Sequence, residues 1–523
     1  MTALPLALLP VIWLFVSLCV MRLPGHVACP AALLVCILPA SLAWGMDAGE
    51  VASAVAEGVA FALWPIIFVI VAALILYRYS LLTGGMETIK RMLTGASEDR
   101  RVLTLVLAWG FGGFLEGIAG FGTPGVIPGS VMIALGFPPL FAMTACLVAN
   151  SAPTAFATLG VPTLTLSDVT GLGVMDVGGA AALQLMAPCV AVPFFLVIAA
   201  GGSPKAIKGV FLITLASGLS FALPILALMR FVGPELPTLI GSVCAISATI
   251  AANRLFYRDT EHNRKYRLRQ EGGARLEPAP PASLPAGGTR PAEAFQAWLP
   301  FLMVLAVVVA TSSLAPAVHA PLAALKSSVL IYSGEGGRPL TFSWLLTPGA
   351  MVLLSTLIAC LIQRRRLSEL AGIAAAALRQ SKNPCITIVS IVAMAKVMNY
   401  SGMTADIATA LIAVFGKAYP LAAPFVGAVG TFITGSDTTS CILFGNLQLG
   451  AAGTIGADPV WVTAANLSGA TAGKMISPQS IAVAVAAGGM RGRDGELLRG
   501  ALGYCAAYLA IVCAVTFAFC RFP

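Results

Sequence analysis

The stretch FLEGIAGFGTPG, residues 114–125, carries one acid, Glu116, four glycines and no Lys or Arg, and it interrupts an otherwise apolar sequence. A second stretch of the same character, GSDTTS at 435–440, carries Asp437. The apolar runs on either side of these polar tips are short. Non-helical backbone at membrane depth is tolerated only where it faces protein or a wet cavity. The two stretches therefore predict re-entrant hairpins, over about 102–136 and about 421–450.

The rest of the sequence supplies the membrane setting. Of its 523 residues, 58% are hydrophobic and only 10% are charged, against roughly 25% charged in soluble domains. Apolar windows of roughly 17–25 residues, enough to span a bilayer as helices, recur from end to end. The expectation is an all-α polytopic membrane protein with about 12 transmembrane helices besides the two re-entrant hairpins. The stretch 3–20 lacks a basic leader and a cleavage site, so it reads as a retained helix rather than a signal peptide.

The net charge of +9 reads as topology and not as affinity for nucleic acid, because Lys and Arg collect in loops. The loop 254–296 carries eight of them, and Arg364, Arg365, Arg366, Arg379 and Lys382 lie in 362–383. With both loops cytoplasmic, most of the 31 basic residues fall on one side, as the positive-inside rule demands. Segment 270–295, rich in Pro, Ala and Gly, reads as a flexible linker. The chain then divides into an N-terminal membrane half (1–254), a linker (255–296) and a C-terminal half (297–523). Segments 86–100 and 404–417 are amphipathic and are expected to lie in the interface.

The halves share landmarks in one order. Tyr79-Ser80 matches Tyr400-Ser401, FLEG matches FITG at 432–435, and Asn150 and Pro162 match Asn466 and Pro478 at the same 12-residue spacing. The basic loops put Tyr79 and Tyr400 on opposite sides, so the halves read as two inverted repeats with broken helices, over about 28–201 and 345–519. That architecture holds substrate near the midplane where the halves meet.

Charge inside the membrane marks the chemistry, since each such residue costs about 2.5–3.5 kcal/mol on insertion scales and needs a cavity or a partner. Four candidates appear: Glu116, Lys396, Asp437 and Lys474. Lys396, near its helix end, reads as snorkelling to the interface. Gly120, Gly122, Thr123, Asn150, Ser151 and Thr154 in the first half gather small polar groups around the breaks. Ser436, Thr438, Thr439, Asn466, Ser468, Ser477 and Gln479 do so in the second. Exposed amides, hydroxyls and helix N-termini suit an anion, and Lys474 is the expected cation for a small carboxylate. Desolvation favours protonated carboxyls in general, which makes Glu116 the candidate proton carrier. Asp437 serves either as a second carrier or as a partner of Lys474.

No metal site or cofactor is expected: the 12 cysteines show no CxxC spacing and read as apolar packing groups, and the three histidines read as distant loop residues. With no GxSxG or HExxH string, the chain reads as no enzyme. Oligomeric state stays open.

At FLEGIAGFGTP (114–124), NSAPTAFATLGVP (150–162), GPELP (233–237), FITGSDTTSCILF (432–444) and GKMISPQSIA (473–482), the chain resembles the bacterial lactate permease family. The resemblance runs over about 55–520. It implies proton-coupled uptake of L-lactate, D-lactate and glycolate across the bacterial inner membrane. It carries the family's function onto Glu116, Asp437 and Lys474 at the matching motif positions. Lys396, where an apolar residue is expected before NYSG, and Thr123, where alanine is expected, depart from the family pattern. Another small organic anion, with sodium as coupling ion, stays open as the alternative.

Overall fold

The computed structural model describes residues 4–21, 23–118, 123–267, 290–311, 315–337, 339–490 and 493–521. The chain is an all-α polytopic membrane protein. Ten helices among the described residues are long and apolar enough to cross a membrane, or up to eleven if the bent pair Pro139–Ala149 and Ala152–Thr170 is one span. Leu4–Leu18 and Pro348–Ile362 are shorter apolar helices. A small antiparallel ribbon pairs Lys326–Val329 with Leu340–Ser343.

Helix pairs occupy both expected hairpin positions, with 119–122 outside the described residues. The first arm of the first, Arg100–Ile118, has its apolar window wholly buried, so its apolar residues face protein and not lipid. It widens into π-helical turns over Leu105–Phe111. Its base is fixed by Arg101, which donates to both oxygens of Asp99, to the carbonyls of Ala206 and Lys208, and to Asn263. Full satisfaction of the guanidinium is what allows an arginine to sit there with no exposure. The returning arm is Thr123–Ala134. In the second hairpin, Tyr419–Thr434 turns at Gly435 (φ 71°) into Asp437–Ile455, and the Ser436 hydroxyl caps the new helix at the Thr439 amide. A positive φ suits glycine, which has no Cβ to clash.

Each hairpin leads into a broken helix. The first is Pro139–Ala149, a tight turn, then Ala157–Thr170. The second is Pro459–Lys474 followed by Pro478–Ala487. Tight packing around the second comes from glycine. A Cβ on Gly469 would stand 1.8 Å from the Pro424 carbonyl oxygen, and one on Gly473 would stand 2.1 Å from that of Ala428. Small residues one turn apart let two helices pack backbone against backbone, the usual solution in membranes.

The order of elements is the same in both halves: a helix with Tyr-Ser in its last turn, a short amphipathic helix (Gly85–Thr94; Met403–Phe415), a helix pair at the expected hairpin position, a broken helix, a long helix. The two tyrosines lie at opposite ends. Tyr79 donates to Gln363, beside Arg364–Arg366, at what we call the basic end. Tyr400 donates to Glu57 and stacks on Tyr332 at the far end.

Candidate functional site

A cavity of about 870 Å³ lies where the second hairpin tip and both broken helices meet. Its lining includes Glu116, Asn150, Thr154, Thr158, Thr434, Ser436, Asp437, Thr438, Thr439, Lys474 and Gln479. Most of the residues expected to act together are therefore together. The cavity runs to the basic end, where His26, Asn383, Asp494 and Gly495 line it. Lys474 is the one Lys or Arg among the described lining residues.

Local structure explains how these side chains arrive. Asn150 ends the helix Pro139–Ala149 as its C-cap. The chain then takes three left-handed residues, Thr158 (φ 46°), Leu159 (φ 58°) and Gly160 (φ 81°). Left-handed backbone costs roughly 1–2 kcal/mol per non-glycine residue, and such strain persists only where the surroundings enforce it. The loop GPELP does so: a Cβ on Gly160 would stand 2.5 Å from the Pro234 carbonyl oxygen, and Thr238 donates to the Pro153 carbonyl. The second break is unstrained. Lys474 closes its helix, and Ser477 caps the next through the Ser480 amide.

The acids are buried and short of donors. Glu116 is 2% exposed and Asp437 3%. Asn150 stands beside Glu116, and Lys474 and Asp437 act on it electrostatically. Thr154 and Thr431 neighbour Asp437, but the Thr154 hydroxyl donates to the Ser151 carbonyl. Glu116 Oε2, both Asp437 oxygens and Asn150 Oδ1 have no hydrogen-bond donor among the described residues. Buried acceptors are rarely left unpaired, which sets this cluster apart among the described residues. Asp437 and Lys474 form no contact ion pair among the described residues; Lys474 reaches both acids only through space.

Several expected site residues serve the scaffold instead. Asn466 sits within a continuous helix rather than at a break. Its amide donates to the Ser440 carbonyl and accepts from Gln448, which ties that helix to the second hairpin. Ser468 donates to Gln184, and Ser151 to the Val148 carbonyl. Ser477 is fully buried in its cap. None of these four lines the cavity. Thr123 begins the returning arm of the first hairpin, while Gly120 and Gly122 lie outside the described residues.

Lys396 does not snorkel. Its nitrogen lies 2.6 Å from an oxygen of Glu57, which is 2% exposed, and Tyr400 donates to both oxygens of that carboxylate. Glu57 escaped the sequence reading because its partner lies 339 residues away. His26 is no loop residue either. It occupies the first turn of Gly25–Ala43.

The family model described as L-lactate permease matches residues 3–522. An L-lactate permease of Streptococcus iniae is 44% identical over 88% of this chain and 93% of its own. The glycolate permease GlcA of Escherichia coli K12 is 35% identical over 98% and 94%, and an L-lactate permease of Bacillus subtilis 33% over the same shares. Among solved structures, Neisseria gonorrhoeae MtrF covers 90% of this chain and 84% of its own at 15% identity and a TM-score of 0.49, a likeness too loose to build on. With a match that runs nearly end to end and relatives aligned over almost their whole length, the chain belongs to the L-lactate permease family.

Proposed function

We propose that this permease is a secondary transporter that couples uptake of L-lactate, and of D-lactate and glycolate, to protons across the bacterial cytoplasmic membrane. The basic end faces the cytoplasm and the two halves act as inverted repeats. The observation that carries the reading is the set of orphan acceptors around one lysine: Glu116, Asp437 and Asn150 beside Lys474.

The electrostatics favour symport. A substrate carboxylate drawn to Lys474 enters a site that already holds two acids. Two like charges about 5 Å apart at an effective dielectric of about 20 repel by roughly 3 kcal/mol. A proton on Glu116 removes that repulsion and supplies a donor, so proton and anion bind more tightly together than apart. In this reading Asn150, Thr438 and Gln479, which line the cavity, meet the 2-hydroxyl. Gly120, Gly122, Thr123, Ser436 and Thr439 complete the proposed binding surface through backbone and hydroxyl groups near the hairpin tips.

The test is uptake of labelled L-lactate into proteoliposomes. An inward proton gradient is expected to drive accumulation, and uptake indifferent to that gradient would overturn the coupling. Glu116→Gln is expected to keep exchange of internal for external lactate but to lose proton-driven accumulation. Accumulation unchanged in this variant would remove Glu116 from the role.

A further inference from the structure

The helix Lys382–Ser401 offers one continuous face to two spaces. Pro384, Thr387, Ile388 and Ile391 line the main cavity. Val392, Ala395, Lys396 and Asn399 line a gap of about 10 Å³ further along. Residues three and four apart share a helix face, so the lining of the cavity passes without a break into that of the gap. The opposite walls continue as well. Thr158 and Pro162 of the first broken helix, with Asp437 and Thr439 of the second hairpin, wall the cavity; Val169 of the same broken helix and Ile442 and Asn446 of the same hairpin arm wall the gap. The gap lies between the same three helices, with Phe61 beside it, towards the far end, and is too small to pass a carboxylate.

A charge stands in this seam. Lys396 is anchored from behind by Glu57 and Tyr400, and Tyr400 is stacked face to face on Tyr332 at 3.7 Å. Gly58 brings the two helices together at this level: a Cβ there would lie 2.5 Å from the Ala393 Cα. Lys396 itself lines the gap and is 21% exposed, more than a wholly structural ion pair would need.

We infer that this seam is the second mouth of the permeation path, shut in this structure, and that Lys396 is its gating residue, positioned by Glu57 and Tyr400. The inference rests on the secondary-transporter reading of the permease but not on its substrate or coupling ion.

A reporter cysteine in the seam, Asn446→Cys, tests it. The reconstituted protein is treated from the far side with the membrane-impermeant thiol reagent 2-sulfonatoethyl methanethiosulfonate, and the modified position is located by tandem mass spectrometry, so the native cysteines stay in place. Modification is expected to be slow in the otherwise unaltered protein. It should be at least tenfold faster with the paired change Glu57→Gln and Lys396→Met, faster also with Tyr400→Phe, which removes a single hydroxyl, and slow again with Lys396→Arg. Equal rates across the set, or modification only from the basic side, overturn the proposal. Lactate uptake measured on the same vesicles separates that failure from failure of the transporter reading.

Discussion

The two broken helices reach the same cavity by different means. The first is strained: three left-handed residues, Thr158–Gly160, are held in place by the GPELP loop of the following helix pair. The second is relaxed and conventionally capped, and its position is fixed by glycine contacts between Pro459–Lys474 and Tyr419–Thr434. The charges divide likewise. Glu116 enters from the first half with no lysine or arginine beside it in that half's lining, while Lys474 and Asp437 both enter from the second. The first half thus offers a carboxylate beside a strained break, and the second a cation and a further carboxylate beside a capped one.

The sharpest way to break this contrast is to attack the rigid half. Gly469→Val sets side-chain atoms against a carbonyl that already stands 1.8 Å from where a Cβ would be. Loss of monodisperse protein in size-exclusion chromatography is expected, and a well-folded variant would show that the helices can separate. Next comes the cation. Lys474→Met removes a charge-assisted contact of roughly 1.5–3 kcal/mol, so uptake efficiency should fall on the order of 10- to 100-fold. Unaltered uptake would end the asymmetry of charge.

The strained half should respond more gently. Gly160→Ala puts a Cβ on a residue at φ 81° and 2.5 Å from the Pro234 carbonyl oxygen. A cost of about 1–2 kcal/mol for the backbone alone predicts a lower melting temperature. No change would mean that the GPELP loop yields freely. The smallest expected effect lies in that loop. Burial pushes the Glu235 carboxyl up to about 7, from an ordinary value of about 4.3. The folded state then holds a proton that the unfolded state releases, so this group's contribution to stability falls as pH rises from about 4 to about 7 and is level above. Glu235→Gln should therefore raise the melting temperature relative to the unaltered protein more at pH 8 than at pH 5. The opposite order would show that the loop leaves Glu235 solvated.

Much of this was legible beforehand because the bilayer is an unforgiving solvent. The hairpin tips declared themselves as glycine, hydroxyl and one acid within apolar sequence, and Glu116, Asp437 and Lys474 do share a cavity. Matching landmarks misled at Asn466. It looks like Asn150 in spacing, yet it lies within an unbroken helix because Gln448 and the Ser440 carbonyl satisfy its amide. Lys396 misled for the converse reason. Near a helix end a lone lysine reads as snorkelling, and only the approach of a distant helix supplies Glu57.

The sequence by itself determined that the chain is membrane-embedded, where its backbone breaks, and which ionisable groups the membrane must tolerate. These follow from local composition, since every unpaired polar group in hydrocarbon carries a large cost. Only the tertiary structure decided which polar groups are spent on one another and which remain open. Ser468 is spent on Gln184, 284 residues away, whereas Asp437 faces the cavity with both oxygens free among the described residues. Pairing depends on distances between segments remote in the chain, and neither spacing nor periodicity records those distances.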